Sequence, residues 1–419
     1  MHRAFVLASC LGSSCVVLDP AARLCAIGSE GCACTGGGAC DGGLDCRSGI
    51  CTDPNVAVSG TDGGTTKGAD DTGDPSQDGT GDDTDVDTSI DAMPNYVFVT
   101  STAHRGGALG GLAGADAICQ ERADAAGLPG TYRAWLSSAQ QDAKDRLGTA
   151  RGWLRTDGKP FARDLAQVLQ GAFYHPPMLD EYGNAPSNWL VWTATLHSGV
   201  GLDDDGGQMC AGWTSEDPER SALQGDREAG GSWWTSRRLG ACNEAAHLYC
   251  FGIDEEYELE VEPAAGRRVF VTAGGVSSTQ GVAAADALCQ SEADAAGLSG
   301  SFLALMAVSQ SAPADRFDLD GPPWVRMDGI PLFSPGEPLG RLETPITFRA
   351  NGVVSDVAMA WLGSPSPTTV ATSQETCEDW TSTEGEAPLA TVFHVGWFNW
   401  GLGGGNSCSA TVLALCFEQ

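Results

Sequence analysis

Among the residues of this 419-residue chain that could do chemistry, sixteen cysteines stand first, and the chemistry they suggest is oxidative pairing. They fall into even sets: Cys10 with Cys15, six from Cys25 to Cys51, four from Cys119 to Cys250, and four from Cys289 to Cys416. Even clusters at this density argue for disulfides and an exported protein. Zinc is the competing use of cysteine, but the last eight lack the paired C-x2-C knuckles of structural zinc sites. The six histidines (His2, His104, His175, His197, His247, His394) are scattered. Counted back from Cys250 and Cys416, His247 falls opposite Leu413 and His394 opposite Glu228. There is no G-x-S-x-G, no H-E-x-x-H and no Gly-rich phosphate loop. Carboxylates are abundant, and spacing singles out no acid–base pair. Asp203-Asp204-Asp205-Gly206 could offer calcium carboxylate and carbonyl oxygens. Its later counterpart, Thr368–Gln374, carries no acid, which favours a solvated loop over a calcium cage.

The chain says the same thing twice. Ala115–Gly130 (ADAICQERADAAGLPG) returns as Ala285–Gly300 (ADALCQSEADAAGLSG), identical at 12 of 16 positions. Val97–Thr100 returns as Val269–Thr272, Trp153–Gly158 as Trp324–Gly329, and Cys210–Ser215 as Cys377–Ser382. Repetition over about 150 residues is a duplicated domain, since solenoid repeats have much shorter periods. Trp192, Trp213 and Trp234 have counterparts in Trp361, Trp380 and Trp400, as core positions would. Trp189 and Trp233 have none, so they are expected to make exposed contacts.

Around the repeats the composition changes. Residues 1–18 read as a signal or lipoprotein segment: a basic start, an apolar run, and Leu7-Ala8-Ser9-Cys10, which resembles the lipobox in which the cysteine is acylated. Residues 19–52 form a Gly- and Cys-rich module too small for a hydrophobic core, so disulfides would have to hold it. Its six cysteines permit 15 pairings. Residues 53–94 contain 11 Asp and no aromatic residue, the composition of a flexible, charge-extended linker. Residues 95–253 and 267–419 are the two domains, and 254–266 is a second acidic linker. A net charge of −32 argues against nucleic acid, which needs phosphates neutralised by Lys and Arg.

Within each copy the pattern is mixed α and β. Val97–Thr100 reads as a strand, and Gly114–Ala126 as an Ala-rich helix with Cys119 on its apolar face. Gly127-Leu128 is a helix-ending signal. Tyr132, Ala134 and Leu136 alternate as a strand, and Ser138–Leu147 is expected to form a second helix. Asp157-Gly158 marks a tight turn. Lys159–Gly240 has little periodicity and reads as a long loop region. His247–Phe251 and Leu413–Phe417 are closing strands.

The FVT-type strand, the G-x-x-G-A-D-x-x-C-Q helix, the A-A-G-L-x-G segment and the late C-x7-C together resemble the endostatin domain of collagen XVIII and its bacterial relatives. Those are C-type-lectin-like domains. The resemblance covers about three quarters of the chain and implies an α+β fold of two tandem C-type-lectin-like domains. It also implies nested disulfides: Cys119–Cys250, Cys210–Cys242, Cys289–Cys416 and Cys377–Cys408. Neither the E-P-N or Q-P-D loop nor the W-N-D motif of calcium-dependent sugar binding is present. The Arg cluster of a heparin surface and the N-terminal histidines of endostatin's zinc site are missing too.

The expectation is therefore an exported, lipid-anchored surface protein, of the outer membrane or cell surface or else secreted. Its two binding or adhesion domains would have no catalytic activity, no required cofactor, and a protein or carbohydrate ligand. The alternative is a secreted carbohydrate-active hydrolase using carboxylates. Ligand contact is expected from the first copy's loop, about 175–238. There Trp189, His197, Trp233, Arg237 and Arg238 join Asp203, Asp204 and Asp205, because loops on a pinned scaffold commonly carry recognition.

Overall fold

The computed structural model describes residues 93–202, 209–396 and 400–419, together with the backbone of a short hairpin, Asp45–Arg47 paired with Ile50–Thr52. Cys10 and the rest of segment 1–18, the pairing of Cys25–Cys51, the linker 53–92 and Asp203–Asp205 lie outside the described residues. What is described is a mixed α/β chain in which sheets dominate, one of nine strands and one of eight.

The two sheets share topology and register. In the first copy the central strand Ala245–Gly252 runs antiparallel to Asn95–Val99 and Tyr132–Ala134, and parallel to Leu190–Trp192. In the second, Thr411–Glu418 pairs in the same senses with Arg267–Val271, Phe302–Ala304 and Met359–Trp361. Even single pairs match, Phe98 opposite Cys250 and Phe270 opposite Cys416.

One long helix covers each sheet, Gly111–Ala126 and Val282–Ala295. Alanine-rich sequence favours helix, and each helix buries a stripe of small residues: Ala115, Cys119 and Ala123, or Ala285, Cys289 and Ala293. Small side chains let the helix lie close enough for Cys119 to bond Cys250 and Cys289 to bond Cys416. Gly127 ends the first helix at φ +68°, and Leu128 N–H donates back to Ala123 at 2.9 Å. Gly297 and Leu298 repeat the arrangement.

The repeated A-D-x-x-C-Q motif is explained by this packing. Asp116 and Gln120, one helical turn apart, accept the N–H groups of Ala134 and Tyr132 at 3.0 and 2.9 Å. Asp286 and Gln290 do the same for Ala304 and Phe302. Two residues apart on a strand and four apart on a helix cover similar distances, so the helix satisfies donors that the sheet leaves open. Asp116 also pairs with Arg146, and Asp286 with Arg316.

Several expectations need correction. Ser138–Leu147 is a Ser138–Gln141 bridge followed by a single 3-10 turn, Ala143–Arg146. Ser137 Oγ takes the Ala143 N–H at 2.9 Å and bends the chain there. Lys159–Gly240 is not all loop: it contributes the strands Leu190–Trp192, Ser221–Asp226 and most of Arg238–Ala241. Trp192, Trp213, Trp234, Trp361 and Trp380 are fully buried, but Trp400 is half-buried and donates to Gly340 O at 3.0 Å. The stretch 254–266 joins the copies without holding them apart. Glu255 O accepts from Asn95 and Arg151, Leu259 packs with Tyr174 and Ile330, and Ala264 N–H donates to Gly329 O.

Candidate functional site

Four disulfides hold the described residues: Cys119–Cys250, Cys210–Cys242, Cys289–Cys416 and Cys377–Cys408. The pairing is the one the resemblance implies, and four such bonds fit an oxidising, extracytoplasmic environment. No helix among the described residues is long and apolar enough to cross a membrane.

The inner bond of each copy begins in unusual backbone. Met209–Trp213 all have positive φ, as do Cys377–Trp380. Successive bonds of the helical i+4 to i type, Trp213 to Met209 at 2.9 Å and Thr214 to Cys210 at 3.0 Å, make this a left-handed helical turn. In L-residues that conformation costs roughly 1–2 kcal/mol per residue. The tryptophan ending each turn is fully buried, and its indole donates inward, Trp213 to Ser137 O at 2.8 Å and Trp380 to Ala307 O at 2.7 Å. Disulfide and indole together hold a geometry that the chain alone would not keep.

The structure brings some of the sequence-predicted ligand residues together and separates others. Trp189, Trp233, Arg237 and Arg238 gather at one end of the Leu190–Trp192, Ser221–Asp226 and Arg238–Ala241 sheet. Arg227 N–H donates to Trp189 O and Asp226 N–H to Trp233 O. The Arg237 guanidinium stacks 3.8 Å over the Trp233 ring. Arg238 bonds Gln224 Oε1 and pairs with Glu244. His197 is exposed but sits on a separate turn, Leu196–Val200, that packs over Lys144. Asp203, Asp204 and Asp205 follow that turn, outside the described residues.

Neither Trp189 nor Trp233 is the exposed anchor that was expected; both are half-buried. Trp233 meets Phe393 of the second copy edge-on, centroids 5.8 Å apart, and packs against that copy's core. The reason lies in a junction that sequence reasoning missed. Gly230 N–H donates to Phe393 O at 2.6 Å and Val395 N–H to Glu228 O at 2.9 Å, a short antiparallel bridge between copies. The contact between His394 Nε2 and Asp226 (3.2 Å) crosses it with both side chains 4% exposed. Nearby, His175 Nδ1 contacts Glu343 O at 3.0 Å, Thr344 Oγ1 donates to Tyr174 O at 2.5 Å, and Lys159 pairs with Glu343 at 2.7 Å. Counted from each copy's last cysteine, 228–229 is equivalent to 394–395. The matched turns at Gly183 and Gly352 likewise make 174–175 equivalent to 343–344. Equivalent segments therefore meet each other, the pattern of a two-fold, isologous contact. The alignment of His394 with Glu228 was the one sequence-level trace of it.

The second copy has a cleft where the first is filled. A space of about 250 Å³ is lined by Ala273, Glu292, Ala296, Arg349, Ala350 and Asn351. In the first copy the equivalent hairpin carries Glu181, 2% exposed, which accepts the Ser101 N–H at 2.8 Å. In the second, Ala350 leaves the space open, and Glu292 from the helix takes the equivalent amide, Ala273 N, at 2.8 Å. Arg349 Nε, at the cleft wall, is buried without a hydrogen-bond partner among the described residues.

Burial is the main force on the interior titratable groups. It holds His175 down to about 4, with Arg155, Lys159 and Arg326 adding to the effect. It lowers His247, whose Nδ1 faces Thr100 O at 2.5 Å, and it raises Tyr249, whose hydroxyl donates to Trp234 O. Among the described residues no three His, Cys, Asp or Glu side chains are grouped as a metal would need. No family model matches the chain, and none of the curated proteins matches it.

Proposed function

We propose that this is an exported, lipid-anchored bacterial surface protein whose two C-type-lectin-like domains act as one binding unit without catalytic activity. The observation that carries the reading is the scaffold: two sheets of the same register, each with nested disulfides and a strained left-handed turn on a buried indole. Such investment in rigidity suits loops that must be held still for recognition. The interior acids and histidines also suit it, because their hydrogen bonds serve the frame. Glu181 holds Ser101, Asp116 holds the Tyr132–Ala134 strand, and His394 accepts the Gly396 N–H at Nδ1 while its Nε2 faces Asp226.

On this reading the ligand is a protein or carbohydrate of a cell surface. It is met by the exposed Arg237, stacked on the half-buried Trp233, together with Arg238 and His197, the half-buried Trp189, and the acidic Asp203–Asp205 of the same loop region. The test is a glycan array run beside a glycoside-hydrolysis screen on the purified full chain, with and without a calcium chelator. Saturable binding without turnover is expected, weakened in Arg237→Ala. Turnover lost on mutating a loop carboxylate would refute the reading in favour of a hydrolase. Acyl mass on the mature N-terminus, lost in Cys10→Ala, is expected of the anchor.

A further inference from the structure

We propose that acidification parts the two copies at their junction through protonation of His175, while each copy stays folded behind its own disulfides. The inference rests on how charge is arranged around that ring and does not depend on what the protein binds. His175 is 8% exposed and contacts the second copy at Glu343 O, 3.0 Å from Nδ1. Three cations act on it, Arg155, bonded to Pro176 O beside the ring, Lys159 and Arg326, each already matched by a carboxylate. From its own copy, Arg155 pairs with Asp157 and Lys159 with Glu343. From the second, Arg326 pairs with Asp328 and also donates to Phe173 O across the junction at 2.9 Å. Glu343 is further engaged by Ser334 Oγ at 2.5 Å. The neutral ring therefore completes a balanced set, and a proton on it leaves one buried positive charge without a partner. A buried charge in that position is relieved by letting water in, and here water enters by opening the junction.

The other junction histidine is built differently. A proton gained by His394 would displace the Gly396 N–H bond at Nδ1, but Asp226, 3.2 Å from Nε2, stands ready as its counterion, which His175 lacks. The asymmetry assigns the acid response to His175.

The direction follows from linkage. In the closed junction the ring is held down to about 4 by burial and the neighbouring cations, whereas in water it titrates near 6.5. Closure is thus fully favoured above about pH 6.5 and is lost as pH falls toward 4. Relative to the plateau above pH 7, the closed-to-open ratio falls by roughly 150-fold by pH 4, approaching one decade per pH unit in the middle of that window.

Hydrogen exchange on the full, oxidised chain tests this, with intrinsic rates corrected for pH. The amides of Gly230 and Val395, which bond across the junction, should lose protection between pH 7 and 4.5. The central strands Ala245–Gly252 and Thr411–Glu418 should keep theirs. His175→Gln should abolish the acid response. His175→Thr, which copies Thr344 at the equivalent place, should do so too and guards against a misfolded first variant. An undiminished acid response in both variants, its disappearance in His394→Gln instead, or simultaneous loss of central-strand protection would each overturn the proposal.

Discussion

Replacing Glu378 by glycine should stabilise this protein, against the usual sign for such a change. Glu378 is exposed and sits at φ 53°, ψ 56° inside the left-handed turn Cys377–Trp380. Its side chain makes no hydrogen bond or ion pair among the described residues; its carbonyl, which accepts from Thr381 Oγ1, is retained. Removing Cβ relieves a left-handed cost of about 1–2 kcal/mol. Against this, glycine gives the unfolded chain extra freedom worth about 0.4–1 kcal/mol. The difference leaves a net gain of up to about 1.5 kcal/mol. Glu121→Gly, at an exposed position of the right-handed helix Gly111–Ala126, is the control and should lose about 1 kcal/mol. The assay is denaturant unfolding with disulfides intact, comparing midpoints at constant slope. If both glycine variants lose stability alike, the turn is not left-handed, and the reasoning about a strained backbone clamped by disulfide and indole fails with it.

Removing the outer bond by Cys119→Ala with Cys250→Ala opens a loop of 131 residues, against 32 for Cys210 with Cys242. In the chain-entropy model these cost about 5 and about 3.7 kcal/mol, so unfolding midpoints should rank the inner-bond variant the more stable. Asp116→Ala leaves the buried Arg146 guanidinium, 3% exposed, without its carboxylate and should cost about 3 kcal/mol or more. Asp286→Ala, whose Arg316 partner is 18% exposed, should cost visibly less in the same melts. His175 and His247 both titrate lower folded than unfolded. Stability should therefore be complete above about pH 6.5 and fall on acidification, with His175 alone contributing a loss of about 3 kcal/mol by pH 4. Thermal midpoints measured from pH 7 to 4 that stay level would contradict this.

Local signals carried much of the fold. Alanine-rich sequence ending in Gly127-Leu128 specified the helix, alternation specified Tyr132–Ala134, and Asp157-Gly158 specified its turn, with Gly158 N–H bonded to Arg155 O at 2.9 Å. In each case the determinants lie within a few residues of one another. The left-handed turns were not legible because only Gly212 among their residues advertises positive φ; the others are held there by a distant cysteine and carbonyl. The short strands within Lys159–Gly240 are three to six residues long, too short for a period to emerge. The junction was least legible of all. Its residues pair His175 with Glu343, Asp226 with His394 and Trp233 with Phe393, combinations that do not recur between copies, so a comparison of repeats passes over them. For the same reason Trp233 was expected in solvent when it packs against the second copy.

The near-symmetry of that junction also bears on how the chain could change over time. Two identical subunits meeting about a two-fold axis make every off-axis contact twice, residue i to j and j to i, so a change at one position alters both halves of the contact at once. Joining the subunits in one polypeptide removes that obligation. Position 228 can then be glutamate while its equivalent, 394, is histidine; position 175 can be histidine while its equivalent, 344, is threonine. Each half of the contact becomes free to specialise, one as donor and the other as acceptor. Two copies in one chain thus also permit the asymmetry from which a directional response, or a single ligand-facing side, can evolve.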